Sequence, residues 1–167
     1  MKQDLLEQYR YFLKDSVRLV IDFSKIDLSN IKLLANKHFE ILEKTDDGIL
    51  GSVVGPDPYM SFPFPSSTHH LLYEKAVLIC EFLELEAPVN KDLQSDVFQF
   101  YWGSDGMNPE NIHVINQKII LEPGRLRFEV DLKQDEYWLI LEKIDFFRFD
   151  FGTKYRGKLK IYYVFLE

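Results

Sequence analysis

The chain has 167 residues, of which 46% are hydrophobic and 15% aromatic, and its formal net charge is −7. This composition excludes a disordered chain and the length fits one domain, so we predict a single folded unit over residues 1–167. The one cysteine excludes an internal disulfide, while the charged N-terminal segment and short apolar runs argue against a signal peptide and a membrane span. We therefore expect a cytoplasmic protein with no membrane association.

The first half of the chain is predicted to hold three helices. Residues 4–14 have apolar side chains at helical spacing, and a second helix begins at the cap residues 27–29 and ends at Asp46-Asp47-Gly48. A third helix is expected from residue 67 or 68 to about residue 86, before Pro88. Its apolar surface is broken only by a narrow acidic stripe, which consists of Glu74, Glu81 and Glu84.

Two short strands and a loop are predicted between these helices. Residues 17–23 alternate apolar and polar side chains as a half-buried strand does, and residues 49–54 form a second short strand. Four prolines in the segment 55–67 remove backbone donors and disfavour regular structure there. We predict an irregular loop whose aromatic side chains either contact a partner or pack on the core; they are Tyr59, Phe62 and Phe64.

The second half of the chain is predicted to be a sheet. Five strands joined by short turns are expected at 97–102, 112–121, 126–132, 137–151 and 158–167. The aromatic segment 137–151 is the longest of them, and it places Phe147, Phe149 and Phe151 on one face. Helices first and strands later indicate an α+β fold, in which about three helices cover one face of a five-stranded antiparallel meander.

A metal site is the sharpest enzymatic alternative that the sequence offers. His70 and Glu74 stand four residues apart on the predicted third helix, and His69 or His113 could supply a third ligand. No HExxH motif or ligand-rich second segment accompanies them, so we predict no metal and no other cofactor. Cys80 lies within the apolar run AVLIC and is expected in the core. An enzyme that uses His69, His70, Glu74 and His113 remains the alternative.

The negative charge is concentrated in the middle of the chain. Residues 40–110 hold three Lys or Arg against thirteen Asp or Glu. Such a segment repels nucleic-acid phosphates and attracts basic proteins, so we predict a basic protein partner and no nucleic acid. The predicted partner-binding residues combine this acidic segment with the aromatic loop; they are Asp46, Asp47, Asp57, Tyr59, Phe62, Phe64, Glu74, Glu81, Glu84, Glu86 and Asp92.

The sequence carries no motif of a known enzyme. In general build, a small acidic α+β chain without catalytic residues resembles the immunity proteins that bacteria make against their own toxins. That resemblance implies a stoichiometric inhibitor, which would neutralise a basic toxin such as a nuclease through its acidic face. An adaptor subunit of a larger complex is a further alternative.

Overall fold

Ten β-strands and two short α-helices form the regular structure of residues 18–66, 68–86, 95–104 and 112–167, the residues that the computed structural model describes. The strands are β1 (Leu19–Ile21), β2 (Phe39–Thr45), β3 (Gly48–Val53), β4 (Tyr59–Pro63), β5 (Lys75–Glu86), β6 (Ser95–Gly103), β7 (Ile112–Ile120), β8 (Gly124–Asp131), β9 (Phe146–Asp150) and β10 (Arg156–Leu166). The helices are α1 (Leu28–Leu34) and α2 (Glu136–Ile140). Neither helix has the length or apolarity needed to cross a membrane.

The strands form two antiparallel sheets. Sheet A has the order β2-β3-β10-β5-β8, with β1 paired to the end of β10, and sheet B has the order β4-β9-β6-β7. Successive strands of the chain therefore often lie in different sheets, as β8 and β9 do. The two sheets pack face to face, so the fold is a β-sandwich.

An aromatic core lies between the two sheets. The ring of Phe98 on β6 lies 6.1 Å from that of Phe82 on β5 and 5.6 Å from that of Phe128 on β8. Phe149 on β9 lies 5.9 Å from Phe128 in an edge-to-face arrangement, and all four rings are buried. Edge-to-face ring contacts of this kind stabilise a core beyond the area that they bury. The two sheets are therefore joined mainly through phenylalanine.

The predicted α+β fold is wrong, because most of the predicted helical sequence forms strands. The segment predicted as the third helix is mostly β5, a central strand of sheet A, and the second helix stops at Leu34, after which β2 begins at Phe39. The first predicted helix, 4–14, lies outside the described residues. The likeness of build to α+β immunity proteins fails together with the predicted fold class.

The predicted meander is also wrong, since its strands divide between the two sheets. The segment 137–151 is not one strand, because Glu136–Ile140 is helical and β9 begins only at Phe146. The carboxylate of Asp135 accepts the N–H of Tyr137 and so caps this helix. Phe149 is buried as expected, but it packs against a strand of sheet A and not against helices.

A buried carboxylate holds the turn between β9 and β10. Asp96, at the start of β6, is 1% exposed and accepts the N–H groups of Val97, Thr153 and Lys154 at 2.8–3.1 Å. Gly152 in this turn has φ +87°, and a Cβ atom there would lie 2.4 Å from Asp96 Oδ2. The turn therefore requires glycine for two reasons, its backbone conformation and the nearby carboxylate.

Candidate functional site

The outer face of sheet B carries a cluster of aromatic and polar side chains. Along β9 and β6, phenylalanines enter the core at alternate positions, and the residues between them project outward. The strand register aligns these outward residues in two neighbouring rows, Ser61–Arg148–Tyr101 and Tyr59–Asp150–Gln99–Asn116. We call the side chains of Asp57, Tyr59, Gln99, Tyr101, Asn116, Arg148 and Asp150 the Arg148 face.

Arg148 is the centre of this face. Its Cζ atom lies 3.6 Å from the ring centroid of Tyr59 and 4.7 Å from that of Tyr101. A guanidinium over aromatic rings is held by cation–π attraction, so two tyrosines from different strands fix its position. The side chain is only 13% exposed, although it belongs to the outer face of the sheet. Arg148 is therefore a preorganised group and not a mobile surface cation.

Two carboxylates share the guanidinium of Arg148. Asp150 accepts from Nε at 2.5 Å and from Nη2 at 2.6 Å, which is a bidentate pair, and its side chain is 5% exposed. Asp57 Oδ1 lies 3.6 Å from Nη2, and the Asp57 side chain is 55% exposed. Burial raises the pKa of Asp150 against the opposing effect of Arg148. Nη1 of Arg148 has no acceptor among the described residues, so its N–H groups can bind a ligand.

A line of side-chain amides continues this face across β6 and β7. The Tyr101 hydroxyl donates to Gln99 Oε1 at 3.3 Å, and Gln99 Nε2 donates to Asn116 Oδ1 at 2.6 Å. The hydrogen-bonding groups therefore extend over all four strands of sheet B, a distance of about 14 Å at the usual strand spacing. The line runs across the strands and not along them.

The loop before β4 holds Asp57 in place. The Asp57 carbonyl accepts from Asn36 Nδ2 at 2.5 Å and contacts His38 Nδ1 at 3.2 Å. Asn36 also donates its backbone N–H to the Tyr59 carbonyl at 3.1 Å, and its side-chain oxygen accepts the Tyr59 N–H. Asp57 stands between Pro56 and Pro58, which restrict the backbone further. The loop therefore fixes the backbone of Asp57, whose carboxylate extends to within 3.6 Å of Arg148 Nη2.

Most of the acidic residues that the sequence singled out lie away from this face. Asp47 pairs with Lys160 at 2.6 Å, and Glu84 pairs with Lys158 at 3.1 Å. These pairs are on the outer side of sheet A, as are Glu81 and its hydroxyl partner Tyr162, whereas Glu74 pairs with Lys133. The other three are placed as follows: Asp46 in the β2–β3 turn, Glu86 at the end of β5, and Asp92 outside the described residues. Docking of a basic protein on the acidic segment stays a prediction, as does an adaptor role.

The aromatic residues of the predicted loop divide between the core and the surface. Phe62 is 0% exposed and stacks on Phe147 at 5.2 Å, and Phe64 is also buried. Tyr59 alone among the three lies on the Arg148 face. The prediction of an irregular loop is wrong at Tyr59–Pro63. These residues form β4, an edge strand of sheet B, where prolines are tolerated.

The histidines of the enzymatic alternative are placed in packing positions. His70 is 1% exposed and its Nε2 lies 2.9 Å from the Trp138 carbonyl, while the His113 ring stacks on Tyr137 at 4.4 Å. Within the described ranges, no three His, Cys, Asp or Glu side chains come close enough to hold a metal ion. Cys80 is buried as expected, which raises the pKa of its thiol to about 12. These residues therefore contribute to packing.

The buried His70 predicts a dependence of stability on pH. Burial lowers the pKa of His70 from its ordinary value of 6.5. As the pH falls below 6.5, His70 therefore binds a proton in the unfolded chain before it does so in the folded chain. We expect the free energy of unfolding to decrease with acidification in this window, and His70→Gln to reduce that slope. Urea unfolding of the wild type and of His70→Gln between about pH 7 and pH 5 measures the two slopes. An unchanged slope in His70→Gln would contradict the assignment.

Several residues of the Arg148 face were not among the predicted site residues; they are Gln99, Tyr101, Asn116, Arg148 and Asp150. The signal in the sequence is the alternation of polar residues or tyrosine with buried aromatics in VFQFYW and FFRFD. That alternation predicts one solvent-exposed face on each strand. It does not predict that β4, β6, β7 and β9 are neighbours, which is what brings these residues together.

Comparison with known proteins gives a structural likeness but no sequence relative. No family model matches the chain, and no curated protein matches its sequence. Among solved structures, the chain is similar to a family 11 carbohydrate-binding module from Clostridium thermocellum in complex with a β-1,3-1,4-mixed-linked tetrasaccharide. The TM-score is 0.50 at 12% identity, with 79% of this chain and 82% of the module covered. At this identity the likeness shows the β-sandwich fold alone.

Proposed function

We propose that the protein is a glycan-binding module and that the Arg148 face is its binding site. The observation that carries this proposal is the set of two tyrosines around an arginine–aspartate pair on an outward sheet face. A sugar presents apolar ring faces edged by hydroxyl groups, each of which both donates and accepts hydrogen bonds. Aromatic rings beside fixed planar polar groups complement both parts of such a ligand.

The free hydrogen-bonding groups of Arg148 and Asp57 suit a pair of neighbouring hydroxyls. Nη1 of Arg148 can donate to one hydroxyl oxygen, while the exposed carboxylate of Asp57 accepts from the next. The guanidinium of Arg148 and the backbone of Asp57 are already fixed by protein contacts, which limits the entropy lost when a ligand binds. Preorganisation of this kind distinguishes a binding site from an ordinary charged surface.

The extent of the face favours a chain of sugars over a single one. Hydrogen-bonding groups extend from β4 to β7, about 14 Å across the sheet. Gln99 and Asn116 continue the line beyond Tyr101, and Asn116 is exposed at the edge strand. An oligosaccharide lying across the strands can contact all of these groups, whereas a monosaccharide can contact only part of them.

Binding without catalysis is the role that the carboxylates support. Asp57 and Asp150 are both ion-paired to the same guanidinium. Asp150 uses both of its oxygens to bind the guanidinium and is only 5% exposed, so it is poorly placed to give a proton to a glycosidic oxygen. We therefore propose that the protein recognises a glycan and leaves it intact.

A panel of soluble polysaccharides, including mixed-linkage β-1,3-1,4-glucan, tests this function. In affinity gel electrophoresis or calorimetry, at least one glycan should bind, and Tyr101→Ala should weaken binding by about tenfold or more, as loss of a central aromatic contact does. Tyr163→Ala is the matched control, because Tyr163 is an exposed tyrosine of sheet A, and it should bind like the wild type. The proposal fails if no glycan binds, or if Tyr101→Ala binds equally well with an unchanged melting temperature.

A further inference from the structure

We infer that Asp57 restricts the Arg148 face to uncharged glycans. This inference rests on the proposed function, and it names both a class of ligand and the residue that selects it. Arginine commonly binds carboxylates and sulfates, so an arginine in a glycan site would ordinarily favour acidic sugars. The two carboxylates beside Arg148, those of Asp57 and Asp150, disfavour acidic sugars.

The charge of Arg148 is already exceeded by its two neighbours. Asp150 occupies Nε and Nη2 in a bidentate pair, and Asp57 adds a second carboxylate 3.6 Å from Nη2. The cluster of one cation and two anions therefore carries a net charge of −1. Besides Arg148, the described strands of sheet B carry one further Lys or Arg, Lys118, which lies opposite Val97, about 16 Å away from Arg148 by strand geometry. At that distance its charge is screened in physiological salt.

An acidic and a neutral ligand meet different interactions at this cluster. A ligand carboxylate that approaches the Nη1 atom of Arg148 comes near the Asp57 carboxylate, and the two like charges repel. A hydroxyl group in the same place accepts from Nη1 and donates to Asp57, so both contacts are favourable. Asp57 therefore strengthens binding of a neutral sugar and weakens that of an acidic one, which is specificity by repulsion.

The backbone of Asp57 cannot move away to admit an anion without breaking contacts. Its carbonyl is bonded to Asn36 and lies beside His38, and the next residue but one, Tyr59, is paired with β9 and stacks on Arg148. The carboxylate is 55% exposed, so it faces the ligand side of the cluster. It is the one member of the charged cluster that is both fixed at its backbone and open to solvent.

The test compares one oligosaccharide in two charge states. A mixed-linkage β-1,3-1,4-glucan oligosaccharide is measured before and after oxidation of its primary hydroxyls to carboxylates, by calorimetry at physiological salt. The wild type should prefer the neutral form, and Asp57→Asn should shift the ratio of the two affinities toward the acidic form by about tenfold. Glu84→Gln removes one exposed carboxylate from the other sheet and should leave the ratio unchanged.

The outcomes separate this inference from the proposed function. If the wild type binds both forms equally, or if Asp57→Asn leaves the ratio unchanged, the inference is overturned, while neutral binding that depends on Tyr101 keeps the function. If Glu84→Gln shifts the ratio as much as Asp57→Asn, net charge and not Asp57 is responsible, and the inference again fails. If the wild type binds neither form, both the inference and binding of this glucan are lost.

Discussion

Replacing Phe149 by Ala should lower the free energy of unfolding by about 3–5 kcal/mol, the usual cost of truncating a buried phenylalanine. Phe149 is 0% exposed and lies at the centre of the sandwich, with ring centroids 5.1 Å from Phe100 and 5.9 Å from Phe128. The truncation removes contacts within sheet B and between the two sheets together. Urea unfolding followed by tryptophan fluorescence measures the loss, because Trp102 and Trp138 are both buried.

Tyr163→Ala is the control for this truncation. Tyr163 is 49% exposed on β10, so its removal should change stability by less than about 1 kcal/mol. A loss of that small size for Phe149→Ala would mean that the inner and outer faces of β9 are exchanged. Because Arg148 is the neighbour of Phe149, the same result would also remove the structural basis of the Arg148 face.

Gly152→Ala is expected to cost about 3–5 kcal/mol, from strain at a positive φ together with crowding of a charged hydrogen-bond acceptor. Its new Cβ atom would stand 2.4 Å from Asp96 Oδ2, so either the turn or the carboxylate must move. Asp96 would then lose good geometry to the N–H groups of Thr153 and Lys154. Thermal and urea unfolding should both report the loss.

Gly124→Ala separates the two causes. Gly124 also has a positive φ, +115°, but a Cβ there meets nothing within 4 Å, so only backbone strain of about 1–3 kcal/mol is expected. The difference between the two variants measures the crowding at Asp96. Equal losses of unfolding free energy in the two variants would show that the Asp96 carboxylate can move away from the new Cβ atom without destabilising the fold.

The sequence predicted the antiparallel strands better than it predicted their arrangement. The segments 97–102, 112–121 and 126–132 correspond to β6, β7 and β8, and their alternation or turn residues made them visible. Sheet membership was not visible, because a strand with one buried side looks the same in either layer of a sandwich. A meander was therefore predicted where two sheets exist.

The error at β5 has a specific physical cause. Glu84 pairs with Lys158 and Phe82 with Leu159, so Leu83 is an extra residue that forms a β-bulge. The bulge brings Glu81 and Glu84 to the same face although they are three residues apart. Three-residue spacing within an apolar segment is typical of a helix, and the apolar outward residues Val77 and Ile79 concealed the two-residue period.

The candidate site was predicted only in part. Asp57 and Tyr59 were selected as binding residues, from charge and aromatic content, and both belong to the Arg148 face. Arg148 was not selected although it alternates with Phe147 and Phe149, since one arginine on a strand is ordinarily a solubilising charge. The site exists because strand pairing joins residues about 90 positions apart, and no local pattern reports that pairing.

The place of β10 in sheet A has a consequence for the order in which the protein can fold. Among the described strands of sheet A, β10 lies between β3 and β5 and also pairs with β1, so it joins the β2–β3 hairpin to the β5–β8 pair. During translation at typical rates, β3 waits about 5–20 s for the strand that joins it to β5. The inner faces of the half-built sheet remain exposed to solvent during that interval. The sandwich therefore stays unclosed until β10, which follows the other described strands in the chain, has been synthesised.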